Sequence, residues 1–263
     1  MGSFEITDQM GRLVNITKPA SRIVCLNPSQ TETLVDLGLE ESLVGITKFC
    51  IYPDYLRKTK TVVGGTKNIN YDKIKSLKPD IILCNKEENS KEIVEALEKE
   101  YPVHVTDVGY LTEALEMIRQ YGQLFDYTEK ASELCTHILA EKLEFESTIS
   151  TASKYRVAYF IWQNPWMVVG KGTFIDHMLA LNGYSNAFAE QDRYPVIELD
   201  TLKNKALDYI LLSSEPFPFK EEHKLELEQQ LGIPVKLVNG EFFSWYGSRL
   251  LRAFDYFKSL HGH

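Results

Sequence analysis

The feature that most constrains this chain is that one pattern occurs in it twice. The stretch DKIKSLKPDIILCNKE, starting at Asp72, returns as DTLKNKALDYILLSSE, starting at Asp200. At one fixed offset Asp72 matches Asp200, Ile74 matches Leu202, Asp80 matches Asp208, Ile82 matches Ile210 and Glu87 matches Glu215. A similar unit precedes each copy, Arg22-Ile23-Val24 ahead of Leu37-Gly38 and Arg156-Val157-Ala158 ahead of Asn182-Gly183. Pro-Val opens an apolar run after each, at Pro102-Val103 and Pro234-Val235. The offset far exceeds the roughly 20–50 residues of a solenoid repeat. It predicts two lobes of related architecture, and two lobes imply a cleft.

Local signals order the elements. Residues 4–16 read as a polar hairpin around Gly11, and Arg22 to Leu26 as a buried strand ended by Asn27-Pro28. Ser29-Gln30-Thr31-Glu32 fits a capping box and places a helix start there. Leu43 to Thr47 and the run at Val62-Val63 are short strands. Asp72 to Leu77 and Ser90 to Glu98 are helices, and Ile81 to Leu83 and Val103 to Val105 are strands. Strands alternating with helices indicate parallel sheets covered on both faces. From Leu111 to Thr151 the strand signal stops, and Ala131, Leu134, Cys135, Ile138, Lys142, Phe145 and Ile149 form a helical stripe. A helix from Thr128 to Ile149 spans about 33 Å, about one lobe. The division predicted is therefore an N-terminal lobe at 1–127, a connecting helix at 128–151 and a C-terminal lobe at 152–263. The second lobe begins at Tyr155 and closes with a helix from Ser248 to Leu260.

Composition excludes several classes. A formal charge of −8 argues against general nucleic-acid binding, which basic surface drives. No stretch approaches the ~20 apolar residues of a membrane span, so no membrane insertion is expected. The start, MGSFEITDQMGRLV, has no apolar signal-peptide core; either a leader has been removed or the protein is cytoplasmic. Cys25, Cys50, Cys84 and Cys135 show no CxxC spacing and the six histidines no metal-ligand spacing, so neither a metal site nor a redox motif is predicted. Gly170-Lys171-Gly172-Thr173 lacks the first glycine and the Lys-Ser/Thr pair of a phosphate loop, and Thr173 with Asp176 reads as a helix cap.

Ligands of α/β sheets sit at the carboxyl ends of the strands. The loops leaving those ends hold Asn27-Pro28-Ser29, Phe49 to Tyr52, Asn85 to Asn89, Ile161 to Trp166, and Asn239 to Tyr246 leading to Arg249. All three tryptophans, Trp162, Trp166 and Trp245, fall in them. Such aromatics suit a large, flat, partly apolar ligand. Glu87, Glu88 and Glu241 share this rim, but no nucleophile or histidine accompanies them at motif spacing, so hydrogen bonding to a ligand is expected rather than catalysis. With Arg249 the one clear arginine against three glutamates, the balance points to a neutral or cationic, amide-rich ligand.

Together these motifs resemble one family. The opening D-x-x-G-R-x-V at Asp8 to Val14, RIVCLNPSQTETLVDLGL, LVGITKF with YP, YDKIKSLKPDIIL, VGKGTFIDHMLALNG and Trp245-Tyr246-Gly247-Ser248-Arg249 are similar, in order and spacing, to the class III substrate-binding proteins of ABC importers. This is the helical-backbone metal receptor superfamily, and the cobalamin-binding branch is the most alike. The resemblance implies two Rossmann-like α/β lobes with mostly parallel sheets, joined by one long rigid backbone helix, with a ligand cleft between the lobes. It implies a monomer that binds a metal chelate, a corrinoid such as cobalamin or cobinamide, in the periplasm or another extracytoplasmic space, and hands it to a permease dimer. No intrinsic cofactor and no enzymatic activity are implied. Position by position, Ser29 and Phe49 fall at first-lobe contacts, and Trp162 or its neighbour Ile161, Tyr194, Glu241 and Trp245 at second-lobe contacts. Thr66 stands where the family has a tryptophan, and Asn85 where it has an aromatic. Tyr52, Glu87, Trp166 and Arg249 complete the expected ligand-binding set. Asp72 and Asp200 fall where the family's glutamates pair with arginines of the permease subunits. The alternatives are a ferric siderophore or haem receptor of the same fold, a cytoplasmic corrinoid carrier, and a two-lobed enzyme using Glu87 or Glu241 as base.

Overall fold

The computed structural model describes residues 2–18, 20–149 and 155–262. They form two compact units. One comprises Met1–Val108, Thr112–Leu139 and Tyr246–Arg249, the other Gly109–Leu111, Ala140–Trp245 and Leu250–His263. The boundary expected at 151/152 lies outside the described residues.

The first unit opens with an antiparallel hairpin, β1 (Gly2–Thr7) and β2 (Leu13–Lys18), in which Ile6 faces Val14. Asp8 fixes its turn: Oδ1 accepts from the main-chain N–H of Met10 (3.0 Å) and Arg12 (2.9 Å), and Oδ2 from the Arg12 guanidinium (2.8 Å). The same Oδ2 accepts from Val105 N (3.0 Å), tying the hairpin to the sheet. That sheet holds β3 (Ile23–Cys25), β4 (Leu43–Ile46), β5 (Thr61–Val62), β6 (Ile81–Asn85) and β7 (Val103–Thr106). Its order is β5-β4-β3-β6-β7, parallel throughout. Every residue of β6 is buried, the mark of a strand covered on both faces. Val24, Leu26, Ile82 and Cys84 pack on one side against Ile74 and Ile93 of the helices, each buried aliphatic side chain contributing about 1.5–3 kcal/mol.

The helices of this unit are α1 (Pro28–Asp36), α2 (Leu56–Thr59), α3 (Tyr71–Leu77), α4 (Lys91–Leu97) and α5 (Leu111–Phe125). The start expected at Ser29 falls two residues earlier. Asn27 is the cap, its Oδ1 accepting from Gln30 N at 3.1 Å, with Pro28 in the first turn, where its missing N–H costs nothing. Glu32 is thereby released from capping. Asn70, not Asp72, caps α3 through Lys73 N (2.9 Å), and Ser90 caps α4.

Helix α6 (Thr128–Thr148) starts in the first unit and ends in the second. In the first it lies close to α5, since a Cβ at Gly122 would come within 2.6 Å of Ala131 Cβ. In the second, its fully buried Phe145 meets the rings of Phe254 and Phe257, both at 5.9 Å.

The second unit is built on β8 (Arg156–Trp162), β9 (Met167–Val168), β10 (Ser185–Asn186), β11 (Tyr209–Ser213) and β12 (Val235–Val238). The path β10-β8-β11-β12 is parallel, with β9 antiparallel on β8. Helices α7 (Phe174–Leu181), α8 (Glu221–Leu231), α9 (Gly240–Ser244) and α10 (Leu250–Leu260) and a 3₁₀ turn at Leu199–Asn204 connect the strands. Thr173 caps α7 through Asp176 N (3.1 Å). Asp200 sits in the 3₁₀ turn, so the second copy of α3 is wound more tightly. The last helix starts at Leu250 rather than Ser248, because Ser248 N bonds to Thr33 Oγ1 (3.1 Å).

The duplicated residues make the same bonds in both units. Asp80 Oδ2 accepts from Arg22 N (3.0 Å), while Asp80 N donates to Arg22 O (2.8 Å). Asp208 Oδ2 accepts from Arg156 N (2.7 Å), while Asp208 N donates to Arg156 O (2.9 Å). Ile82 N reaches Pro102 O and Ile210 N reaches Pro234 O, each at 2.9 Å. The repeat is therefore a clasp between neighbouring strands, used once per sheet.

His104 on β7 is fully buried, its Nε2 2.8 Å from Gln120 Oε1. Gln120 uses its amide protons on Thr7 O and Glu116, so His104 Nε2 is the donor and Nδ1 is left without a partner. Burial pushes the imidazole pKa below its ordinary value, against the opposing pull of the Gln120 bond. A lowered folded-state pKa favours the neutral ring, so its stability contribution is present above the unfolded value and lost as pH falls through the folded one. The urea midpoint should drop as pH falls below the usual imidazole range, by at most about 1.4 kcal/mol per pH unit for the one proton. In His104→Gln that component of the slope should vanish.

Candidate functional site

At the carboxyl ends of the first sheet two buried asparagines shape the loops. Asn85 Oδ1 accepts from Glu87 N (2.9 Å) and Glu88 N (3.2 Å). Asn89 donates to Thr66 O (2.9 Å) and Leu26 O (3.3 Å), and its Oδ1 accepts from Asn85 N (2.8 Å). Asn85 thus works inside the loop. Phe49 stands out at 47% exposure. It borders a cavity of about 610 Å³ that Thr66 also lines. Glu87 is half-buried, and its carbonyl accepts from Lys67 Nζ.

Segment Tyr246–Arg249 lies against α1, though the chain on either side of it belongs to the second unit. Arg249, expected at the rim as a cation, is 4% exposed and forms a bidentate pair with Glu32. Nε meets Oε2 and Nη2 meets Oε1, both at 2.8 Å. Its guanidinium lies 4.0 Å from the centroid of the Tyr52 ring. The geometry is that of a charge neutralised in place and used to back Tyr52. Gly247 takes φ +93, and a Cβ there would overlap Thr33 Oγ1. Tyr246 Oη lies 3.3 Å from Gln30 Nε2, whose amide also reaches Thr106 Oγ1 (2.6 Å) and accepts from Tyr121 Oη (2.8 Å).

At the strand ends of the second unit, the tryptophans take three different places. Trp162 is the last residue of β8, 38% exposed, with the Phe217 ring edge-on at 5.7 Å. Trp166 packs against the second unit's core, edge-on to Phe160 (5.6 Å) and stacked with Phe219 (6.2 Å). Trp245 is buried, its N–H closing α9 onto Glu241 O (2.9 Å). Glu241 itself is half-buried in the first turn of α9, with Asn239 as cap, and Tyr194 is half-buried. Of the expected contact residues, Ser29, Thr66, Trp245 and Arg249 are buried, whereas Phe49 and Trp162 are exposed and Tyr52, Glu87, Trp166, Tyr194 and Glu241 lie between. Ser29 spends its hydroxyl on Asn27 Oδ1 (2.8 Å). Asp72 and Asp200 are exposed, Asp200 paired with Lys203 (2.7 Å).

Sequence reasoning missed Phe217 and the lysines beside Phe49. The run Glu215-Pro216-Phe217-Pro218-Phe219, leaving the end of β11, carried the signal: two aromatics spaced by prolines at a carboxyl strand end. Its rings form one cluster, Phe217 to Phe219 at 4.7 Å and Phe217 to His223 at 5.4 Å. His223 Nδ1 accepts from Lys220 N (3.0 Å), so that ring nitrogen is used within the start of α8. Among the described residues no group of three His, Cys, Asp or Glu is placed to hold a metal ion, and no helix is long and apolar enough to cross a membrane. The cysteines are free and buried, and burial pushes the Cys25 thiol up to about 12 and the others upward too.

Comparison with known proteins agrees with this architecture. A family model described as periplasmic binding protein matches residues 23–232. A vitamin B12-binding protein from Pectobacterium carotovorum is 25% identical over 236 residues, covering 88% of this chain and 85% of its own length. An uncharacterized ABC transporter substrate-binding lipoprotein from Bacillus subtilis is 30% identical over 195 residues, covering 71% of this chain and 61% of its own. Among solved structures, a periplasmic heme-binding protein from Pseudomonas aeruginosa superposes with a TM-score of 0.78 at 17% identity, covering 92% of each chain.

Removing one partner of a buried ion pair leaves the other charge stranded. Glu32→Ala should therefore cost about 3–5 kcal/mol in urea denaturation, and Glu32→Leu with Arg249→Leu should recover much of the loss. A cost below 1 kcal/mol for Glu32→Ala would show that the pair is solvated.

Proposed function

The chain belongs to the periplasmic binding protein family, and on that premise we propose that it is the substrate-binding protein of an ABC importer. Its cargo is a metal chelate, a corrinoid such as cobalamin first among the candidates, which it hands to the permease in an extracytoplasmic space. The observation that carries this reading is that each unit, taken by itself, has aromatic rings at carboxyl strand ends: the exposed Phe49 on one, and the exposed Trp162 with Phe217 edge-on to it on the other. Exposed rings there suit a flat, partly apolar ligand. Tyr52, backed by Arg249, and the half-buried Glu87 on the first unit, and the half-buried Tyr194 and Glu241 on the second, are the proposed polar contacts. Thr66 lines the cavity beside Phe49, while the buried Ser29 and Trp245 and the core-packed Trp166 are less accessible to a ligand.

Binding rather than chemistry is what membership of a binding-protein family supports, and burial keeps two thiols and one hydroxyl in their protonated forms. The Cys50 and Cys84 thiols and the Tyr159 hydroxyl are all pushed upward. Asp72 and Asp200, exposed on one unit each, are the proposed contacts to the two permease subunits.

Tryptophan-fluorescence titration tests the cargo. Saturable quenching by cyanocobalamin is expected, and Trp162→Ala with Phe217→Ala should weaken it by about 2 kcal/mol or more, some 30-fold. Unchanged affinity would remove both rings from the site. Asp72→Lys with Asp200→Lys should abolish stimulation of the transporter's ATPase while quenching by the cargo persists. Full stimulation by that variant would leave the two acids without a docking role.

A further inference from the structure

The cavity beside Phe49 carries charge of one sign. Lys48, Lys67 and Lys73 line it with Phe49 and Thr66, and among the described residues no carboxylate does. Gly65 lets two of the lining side chains approach closely: a Cβ there would come within 3.2 Å of Phe49 Cε2 and 3.4 Å of Lys48 Cε. Each ammonium group is steadied by a neutral partner. Lys67 Nζ donates to Glu87 O, Lys73 Nζ donates to Val62 O at 3.0 Å, and Lys48 Nζ lies 5.0 Å from the Phe49 ring centroid. Carbonyls and a ring face orient these cations without neutralising them. Three like charges around one cavity raise its positive potential, and an entering anion relieves it.

We infer that this cavity seats an oxyanion of the cargo, a carboxylate or phosphate on the periphery of the metal chelate, with Phe49 against the chelate's apolar body. This rests on the receptor reading above and narrows its ligand class to chelates bearing at least one oxyanion. It also reverses the charge preference expected from the rim. Arg249, the one arginine of that rim, is neutralised by Glu32, while three lysines line the cavity. The volume of about 610 Å³ falls within the roughly 300–1,000 Å³ of small-molecule sites, so part of the ring system enters with the anion.

Three probes separate the possibilities: dicyanocobinamide, a corrinoid without a phosphate; cyanocobalamin, the same ring system with a phosphodiester; and hemin, with two carboxylates. At low salt the protein should bind at least one of the latter two about tenfold more tightly than dicyanocobinamide, the scale of one charge-assisted hydrogen bond. In Lys48→Gln with Lys67→Gln that ratio should fall to about one. Lys48→Gln with Lys73→Gln, which leaves the Lys67–Glu87 contact intact, should lower it as well, with circular dichroism confirming the fold of both. A preference for cyanocobalamin alone identifies a phosphate, and one for hemin alone a carboxylate. Equal affinity of the unsubstituted protein for all three, or a ratio that survives both double substitutions, overturns the inference and leaves the receptor standing. Silence towards all three overturns the receptor reading and the inference with it.

Discussion

Glu32 and Arg249 come from opposite ends of the chain and meet through two 2.8 Å hydrogen bonds with both side chains 4% exposed. Neither charge is tolerable there alone, because desolvating a single ion costs several kcal/mol and only close, well-oriented pairing offsets it. The pair therefore dictates where residues 246–249 can lie, and neighbouring contacts obey the same geometry. Gly247 approaches Thr33 with no room for a Cβ, Ser248 N finds the Thr33 hydroxyl, and Tyr246 joins the buried network of Gln30, Thr106 and Tyr121. Its effect reaches the candidate site through Tyr52, whose ring rests on the fixed guanidinium.

The two sheets divide their labour along the strands. At the amino ends the same clasp appears twice, Asp80 with Arg22 and Asp208 with Arg156. It serves the sheet, and the duplication preserves it. At the carboxyl ends the copies diverge: Asn85-Lys86-Glu87-Glu88-Asn89 in one, a proline-spaced aromatic cluster ending at Phe219 in the other. Those ends carry the exposed rings and the lysine-lined cavity. Repetition marks what each unit needs in order to fold, and divergence falls at the strand ends that carry the proposed ligand contacts.

Much of this was legible in advance. The strand at Ile81 was readable because a continuous apolar run followed by polar residues admits few other structures, and α6 because its apolar stripe keeps a helical period. Asp8 and Arg12 sit close enough in sequence for a turn to join them. The helix starts from Asn27 rather than Ser29, since both are good caps and local pattern does not say which hydroxyl or amide is free. Trp162, Trp166 and Trp245 looked alike in loops, yet they are exposed, packed on a core and buried. The difference lies in Phe217, Phe160 and Phe219, which no local reading brings beside them.

The sequence by itself determined the architecture. Period, capping and burial pattern are short-range properties, and two copies of one pattern require two α/β units. It also located the loops at the carboxyl strand ends, since those follow from strand direction. Only the tertiary structure decided the charge that a ligand meets. Arg249 is cancelled by Glu32 from a distant helix, and Lys48, Lys67 and Lys73 line one cavity although they come from separate loops and a helix. Whether a charge is free or neutralised depends on which carboxylate the fold brings within about 4 Å of it, and that distance is a property of packing.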